Sequence, residues 1–232
     1  MTKFLRILND FLSLFFPGIC DACNDKLLTN ESVICANCLY NLPKTNYHLE
    51  KNNPVSQIFW GRVNIENATS LYFYNKGSKF QKLIHKLKYN GKKKIAFELG
   101  KYFGSILRTS EFYKSFDVII PVPLHPKREK KRGYNQSYWF ALGLNEVYDS
   151  EVDANILFRA VETETQTKKS RFERWKNVDS IFKTKDKITL INKHILLVDD
   201  VLTTGATLEA CAAALLETEN TKVSIATIAV AS

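Results

Sequence analysis

The sequence predicts an α/β fold built on a parallel sheet, and three largely apolar segments support that prediction. Residues 195–198 have the composition of a strand buried on both faces, because apolar residues run through them without alternation, and residues 117–121 and 222–230 are further strand candidates. Segments with helical character separate them, including an alanine-rich stretch at residues 208–216. Strands that alternate with helices are typical of a parallel sheet flanked by helices.

The length of 232 residues and the 45% hydrophobic content allow a full core. We predict a main domain at residues 67–232, a small module at 1–42 and a linker at 43–66. The net charge of +9 favours anionic partners such as phosphorylated substrates, nucleic acid or a membrane surface. No apolar run approaches the roughly 20 residues that span a bilayer, so we expect no stable membrane insertion.

The first sixteen residues predict an amphipathic helix, because six large apolar residues fall at helical spacing: Phe4, Leu5, Leu8, Phe11, Leu12 and Phe15. The apolar run at residues 11–16 is short for a signal peptide, and no small-x-small cleavage site follows it. We expect this helix to pack on the protein itself or on a partner, with membrane association as the alternative. A cytoplasmic location follows.

Four of the five cysteines form two Cys-x-x-Cys pairs, Cys20 with Cys23 and Cys35 with Cys38. Two such pairs with a short loop between them can close a tetrahedral four-sulfur site, for which structural zinc is favoured and iron is not excluded. Disulfides and a redox-active pair are the alternatives, and a reducing cytoplasm disfavours disulfides. Cys211 lies in the alanine-rich segment and is most simply a small buried residue.

Residues 43–66 are polar and asparagine-rich, without strong periodicity, and they predict an extended connection. A strand follows at residues 69–74, then helices at 80–87 and 95–107. The basic turn at residues 88–94 between these helices has two interpretations. It is either a solvated connection or part of a surface that binds phosphates or nucleic acid.

A basic loop follows the strand at residues 117–121, and prolines prevent that strand from continuing. Residues 133–136 then begin a helix. A rigid basic loop beside a parallel strand suits a pyrophosphate, although ordinary surface charge is the alternative. The candidate pyrophosphate-loop residues are Pro121, Val122, Pro123, Lys127, Arg128 and Arg132.

Residues 160–179 are polar and basic with few apolar anchors. One interpretation is a mobile segment that closes over an anionic ligand. The other is a charged helix with Phe172 and Trp175 packed on the domain. The candidate loop residues are Gln166, Lys168, Lys169, Arg171 and Arg174.

The most informative segment is residues 195–207, in which a buried strand runs into two acids and then into a loop of threonines around one glycine. Asp199 and Asp200 fall at the carboxyl end of the strand, where open α/β sheets bind ligands. Thr203, Thr204, Gly205, Ala206 and Thr207 precede a helix, whose free N–H groups and dipole favour an anion. Two acids beside a phosphate cradle can hold the vicinal hydroxyls of a sugar, directly or with the help of a metal.

These thirteen residues resemble the signature of the type I phosphoribosyltransferases, which bind phosphoribosyl pyrophosphate (PRPP). With the cysteine pairs and residues 87–91, 121–125 and 132–136, nearly the whole chain resembles the ComF/GntX family. The resemblance implies a type I phosphoribosyltransferase fold with a small N-terminal zinc module, and a hood for an acceptor that would lie within residues 40–68.

The resemblance also implies roles for the site residues. Asp199 and Asp200 would bind the ribose hydroxyls with Mg²⁺, residues 203–207 the 5′-phosphate, and the loop at 121–132 the pyrophosphate. It further implies a part in natural transformation, with single-stranded DNA and proteins of the competence machinery as partners. Two functions stay open: a magnesium-dependent transferase, and a DNA-handling adaptor for which PRPP is a regulatory ligand.

Overall fold

The protein, described by a computed structural model at residues 17–160 and 181–231, is built on a five-stranded parallel sheet in the order β1-β7-β6-β2-β3. A separate antiparallel pair, β4 with β5, lies outside this sheet. The strands are β1 (Asn67–Tyr74), β2 (Val118–Pro121), β3 (Glu151–Val152), β4 (Leu157–Arg159), β5 (Phe182–Thr184), β6 (His194–Leu202) and β7 (Lys222–Ala231). The predicted parallel α/β sheet is confirmed.

Helices cover both faces of the sheet. They are α1 (Ala36–Asn41), α2 (Pro54–Gln57), α3 (Lys79–Tyr89), α4 (Lys94–Leu107), α5 (Pro126–Arg132), α6 (Gln136–Tyr148) and α7 (Ala206–Leu216), with 3₁₀ turns at Tyr47–Leu49 and Ile188–Leu190. In β6, Leu196 and Val198 enter the core formed with α3, α4 and α6. Ile195 and Leu197 enter the opposite core with α7. The continuous apolar run is thus explained by a strand that is buried on both faces.

Two glycines let α4 and α6 cross closely. A Cβ atom on Gly100 would lie 2.3 Å from the Phe140 carbonyl oxygen, and one on Gly143 would lie 2.0 Å from that of Phe97. Any side chain at either position would therefore push the helices apart. This contact fixes α6, whose first turn faces the end of β6.

The cysteine module shares a core with the sheet rather than standing apart from it. Cys20, Cys35 and Cys38 are buried in the same cluster as the apolar face of α3. The Lys86 ammonium of α3 donates to the Asp21 carbonyl oxygen at 2.7 Å and to its carboxylate at 3.2 Å. The domain boundaries at residues 42 and 66 stay predictions, but residues 17–42 pack directly on α3.

Residues 43–66, predicted to be an extended connection, form a turn, a short helix and a buried anchor. Asn53 is 1% exposed, and its side-chain amide donates to the carbonyl oxygens of Tyr47, Glu50 and Ala68. Its side-chain oxygen caps α2 by accepting from two backbone N–H groups. In this asparagine-rich segment, at least one asparagine therefore serves to hydrogen-bond backbone groups and not only to form a polar surface.

The basic loop after β2 differs from the irregular loop that the prolines predicted, because most of it is helix α5. Pro126 occupies the first helical turn, where its missing N–H costs nothing, and the His125 side chain accepts from the Lys127 N–H at 3.2 Å. Gly133, at φ +79°, ends the helix in a left-handed conformation.

Other predicted helices and strands agree with the structure within a few residues at each end. The amphipathic helix predicted in residues 1–16 lies outside the described residues. So do the candidate loop residues Gln166, Lys168, Lys169, Arg171 and Arg174. Among the helices that the structure describes, none has both the length and the apolar character needed to cross a bilayer.

Candidate functional site

The carboxyl ends of β2 and β6 lie side by side and bring two predicted site segments together. Pro121 is opposite Val198, and the Val122 N–H donates to the Val198 carbonyl oxygen at 2.9 Å. The Asn135 side chain donates to the Val122 carbonyl oxygen at 3.0 Å and caps α6. The turn after β2 and the first turn of α6 therefore border the two acids that end β6.

Asp199 is the more enclosed acid. Its Oδ1 atom accepts from the Ser137 hydroxyl and from the Asp200 N–H, each at 2.8 Å. Burial, and then the neighbouring charge of Asp200, raise the pKa of Asp199 to about 7, although both hydrogen bonds favour the ionised form. A nearby cation or hydroxyl donors would therefore stabilise the carboxylate.

Asp200 has a basic partner from the opposite side of the site. Its Oδ2 atom lies 3.1 Å from the Lys88 ammonium, and the two side chains are 13% and 22% exposed. Lys88 stands in the last turn of α3 and begins the basic turn at residues 88–94. At least one residue of that turn therefore contacts the acid pair, and whether the turn binds a ligand stays a prediction.

The loop at residues 203–207, which we call the signature loop, joins β6 to α7. Gly205 is buried and adopts φ +81°, while the four residues around it are exposed: Thr203, Thr204, Ala206 and Thr207. The first N–H groups of α7 have no acceptor within the helix, so an anion in the loop would meet free donors and the positive end of the dipole.

Residues 58–62 support the signature loop from behind. A Cβ atom on Gly205 would lie 2.8 Å from the Ile58 Cγ2 atom. The Arg62 guanidinium donates to the Thr204 carbonyl oxygen at 3.0 Å and pairs with Glu209 in the first turn of α7. The segment predicted as a linker therefore fixes the conformation of this loop.

The basic residues that follow β2, predicted to bind a pyrophosphate, fall into two groups. Arg132 lies inward, where it donates to the Gln136 side chain at 2.7 Å and lies 5.8 Å from the centre of the Tyr89 ring. Lys127 and Arg128 are exposed on α5, and no side-chain contact joins them to Asp199 or Asp200 in the part of the chain that is described.

Three contributors to the site carried no recognisable signal in the sequence: Ser137, Arg62 and Ile58. Ser137 follows a helix cap in sequence and contacts an acid 62 residues away. Arg62 lies in a polar stretch and reaches a loop 142 residues away. Lys88 belongs to the basic turn for which a phosphate-binding surface was one interpretation, but nothing in the sequence of that turn distinguishes Lys88 from the neighbouring lysines.

The four predicted ligand cysteines do converge. Their sulfur atoms all lie within 4.8 Å of one another, and the Cys23 and Cys35 sulfurs are 3.7 Å apart, far longer than a disulfide bond. Backbone N–H groups of Ala22 and Cys35 donate to the Cys20 sulfur at 3.4 and 3.3 Å. Such a group can hold a metal ion.

The thiol pKa values support a need for a cation. Burial opposes ionisation of Cys20, but backbone hydrogen bonds prevail and lower its pKa to about 7. Burial raises the pKa of Cys23 to about 11 and moves that of Cys38 further upward. Four thiolates could share this space only around a positive ion.

Comparison with known proteins agrees with this geometry. A family model for the phosphoribosyl transferase domain matches residues 153–232. The DNA utilization protein YhgH of Shigella flexneri is 29% identical over 88% of this chain and 87% of its own length. Competence protein ComFC of Bacillus subtilis is 29% identical over 86% of this chain and 78% of its own.

A solved structure, the glutamine PRPP amidotransferase of B. subtilis, aligns with 57% of this chain and 26% of that one, at 20% identity and a TM-score of 0.41. The two sequence relatives align with 88% and 86% of the chain, and the domain model covers the segment with the acids and the signature loop. The chain therefore contains a segment that matches the phosphoribosyl transferase domain, and it is similar over most of its length to the YhgH and ComFC proteins.

Proposed function

We propose that the carboxyl edge of the sheet binds PRPP and that the chain acts in DNA utilization. The observation that carries the PRPP proposal is the convergence of an acid pair, an open helix N-terminus and the partly covered Lys88 ammonium on one edge. A sugar diol, a phosphate and a diphosphate need these three kinds of group. The names of the relatives, with DNA utilization and competence in them, support the second half of the proposal.

Each part of the site has a proposed role. Asp199 and Asp200 accept hydrogen bonds from the ribose hydroxyls. Residues 203–207 surround the 5′-phosphate, and the turn at Pro121–Val122–Pro123 contacts the diphosphate from below. For Arg132, which contacts the Gln136 side chain in the first turn of α6, we propose a role at the same diphosphate. For Lys127 and Arg128, a role at the diphosphate rests on the charge of α5 alone.

Magnesium fits this proposal. Carboxylate oxygens are ligands that Mg²⁺ prefers, and burial, followed by the neighbouring charge of Asp200, raises the pKa of Asp199, so a cation beside the two acids would stabilise the carboxylate. When bound with PRPP, the ion would neutralise the diphosphate as it leaves. The residues of the chain contribute by orienting the ribose and anchoring its phosphate, which are the larger part of catalysis by positioning.

We further propose that the cysteine cluster holds structural zinc. Metal–sulfur bonds of about 2.3 Å in a tetrahedron place sulfur atoms roughly 3.8 Å apart. The distance of 3.7 Å between the Cys23 and Cys35 sulfurs agrees with that value. Four protein ligands leave no open position for substrate, so the role is structural. Reduced thiols also suit a cytoplasmic location, which we propose for the chain.

Calorimetry with PRPP and Mg²⁺ tests the ligand. The double substitution Asp199→Asn with Asp200→Asn should weaken binding at least about tenfold, because neutral amides replace two charged acceptors. Glu217→Gln is the matched control, since this exposed acid pairs only with exposed Lys187 among the described ion pairs. Equal affinity in parent and double variant would refute the site assignment. Release of pyrophosphate on incubation with DNA or cell extract would distinguish a transferase from an adaptor.

A second function, contact with single-stranded DNA, is favoured by one observation. Helix α5 exposes four cations in a seven-residue helix: Lys127, Arg128, Lys130 and Lys131. Binding to phosphates through such residues should weaken steeply with salt. Replacing Lys130 and Lys131 with glutamine should flatten the salt dependence, whereas an absence of binding at low salt would exclude direct contact. Proteins of the competence machinery are further proposed partners, and the relative named ComFC is the support for them.

A further inference from the structure

The basic turn contains a lysine that is paired with one of the two acids. Lys88 follows Leu87, which is the last residue of the buried face of α3. Its ammonium lies 3.1 Å from the Asp200 carboxylate, and both side chains are largely covered. Covering two charges costs desolvation that a surface lysine would avoid. A pair retained there despite that cost suggests a ligand site.

The end of α3 is fixed on two sides, so Lys88 is well placed. Toward the cysteine module, Lys86 holds the Asp21 carbonyl and carboxylate, and Lys92 lies 3.7 Å from the same carboxylate. Toward α6, the Tyr134 hydroxyl donates to the Leu87 carbonyl oxygen. The backbone on either side of Lys88 is thus held, and its side chain alone is left to change partner.

The Asp200 Oδ2 atom faces Lys88, and a sugar diol that binds this carboxylate would compete with the ammonium for it. If the ribose hydroxyls take that carboxylate, the Lys88 ammonium loses its partner inside a partly covered site. A buried cation without a partner is unfavourable, so a second anion must replace the carboxylate. The diphosphate that the ribose carries would be adjacent, between the acid pair and the turn after β2.

We propose that Lys88 is a diphosphate-binding residue that pairs with Asp200 when no ligand is bound and transfers to the diphosphate when the ribose takes that acid. The inference rests on the proposed function and adds a specificity to it. Through Lys88 the site discriminates a ribose phosphate that carries a diphosphate from one that does not. The cysteine module is then a support for the ligand site, acting through Asp21 and α3.

Calorimetry on Lys88→Met tests this with two ligands, PRPP and ribose 5-phosphate, each with Mg²⁺. A charged hydrogen bond to the diphosphate predicts about a tenfold or greater loss for PRPP. Ribose 5-phosphate should bind unchanged or more tightly, because its hydroxyls no longer compete with the ammonium. Lys88→Arg keeps the charge and should recover part of the PRPP affinity. Lys187→Met, which removes an exposed paired lysine, should alter neither ligand.

The opposite responses to the two ligands distinguish binding from a structural role. Equal weakening of both ligands in Lys88→Met, or no recovery in Lys88→Arg, would overturn the inference. Failure of the unsubstituted chain to bind either ligand would instead refute the proposed function. If Lys88→Met fails to fold, Lys88→Arg still tests the inference. A lysine with only a structural role predicts that Lys88→Arg changes the affinities for PRPP and ribose 5-phosphate by the same factor. A diphosphate-binding role predicts a loss for PRPP alone.

Discussion

The four-cysteine module and the signature loop are both compact, but they obtain their order in different ways. The module has one six-residue helix and an isolated bridge between Ile19 and Lys26, and its sulfur atoms lie at its centre. The signature loop stands between a nine-residue strand and an eleven-residue helix. We therefore expect a metal ion to organise the first region, whereas the backbone, the packing and the contacts of Arg62 organise the second.

The largest effect expected from this contrast is at the metal. Cys38→Ser should reduce bound zinc well below one per chain and cost about 3 kcal/mol or more of unfolding free energy. The loss should exceed a local one, because Cys38 is buried in the core that contains α3 and α4. Zinc analysis and chemical denaturation measure both quantities.

Cys211→Ala is the matched control for that variant. Cys211 is also buried, but it lies against the opposite face of the sheet and outside the sulfur cluster. It should keep its full zinc content and lose about 1 kcal/mol. Full zinc and parental stability in Cys38→Ser would contradict the assignment of Cys38 as a ligand, and an absence of zinc from the parent would return the redox alternative to consideration.

The next largest effect concerns the backbone of the signature loop. Gly205→Ala should cost about 2 to 4 kcal/mol, because strain at φ +81° adds to a contact of 2.8 Å between the new Cβ atom and Ile58. Gly61→Ala also has positive φ, at +70°, yet its Cβ would meet nothing within 4 Å. It should cost only the strain, about 1 kcal/mol. Urea denaturation of both variants measures the difference, and equal costs would show that Ile58 does not support the loop.

Much of this contrast could be predicted from sequence, because both regions are marked by motifs of residues that are close together along the chain. The spacing of the cysteines and the apolar run ending in two acids involve neighbours along the chain. The doubly buried strands were predictable for the same reason, since burial on both faces removes alternation. Helix α5 was also locally encoded, by Pro126 at its start and Gly133 at its end, but the prolines of the preceding loop obscured that signal.

The contacts that complete the site could not be predicted, because they join distant parts of the chain. The Ser137 hydroxyl reaches Asp199, Arg62 reaches Thr204, and Lys88 reaches Asp200 only after the strands have been ordered in the sheet. None of these three residue types is unusual at its position. Strand order and helix crossing, rather than residue type, determine which polar residues become partners.

The smallest effect expected is a pH dependence that belongs to the site and not to the metal module. The pKa of Asp199 is about 7 in the folded chain against an ordinary value of 3.8, so protons favour the folded state. Its contribution to stability is complete below about pH 4 and is lost as pH rises through 7.

Asp199→Asn removes the penalty of ionisation, so the stability of the variant relative to the parent should increase with pH across that window. Because Asp199 is only partly covered, the increase should stay well below roughly 4 kcal/mol, which is the limit for a shift of this size. Urea denaturation of both proteins from pH 4.5 to 8 measures the difference, and subtraction cancels the loss of zinc at low pH that the two proteins share. Glu217→Gln should show a nearly constant difference from the parent. A parallel pH profile for Asp199→Asn and the parent would mean that Asp199 is ionised throughout, and that the empty site already provides the positive charge we assign to magnesium.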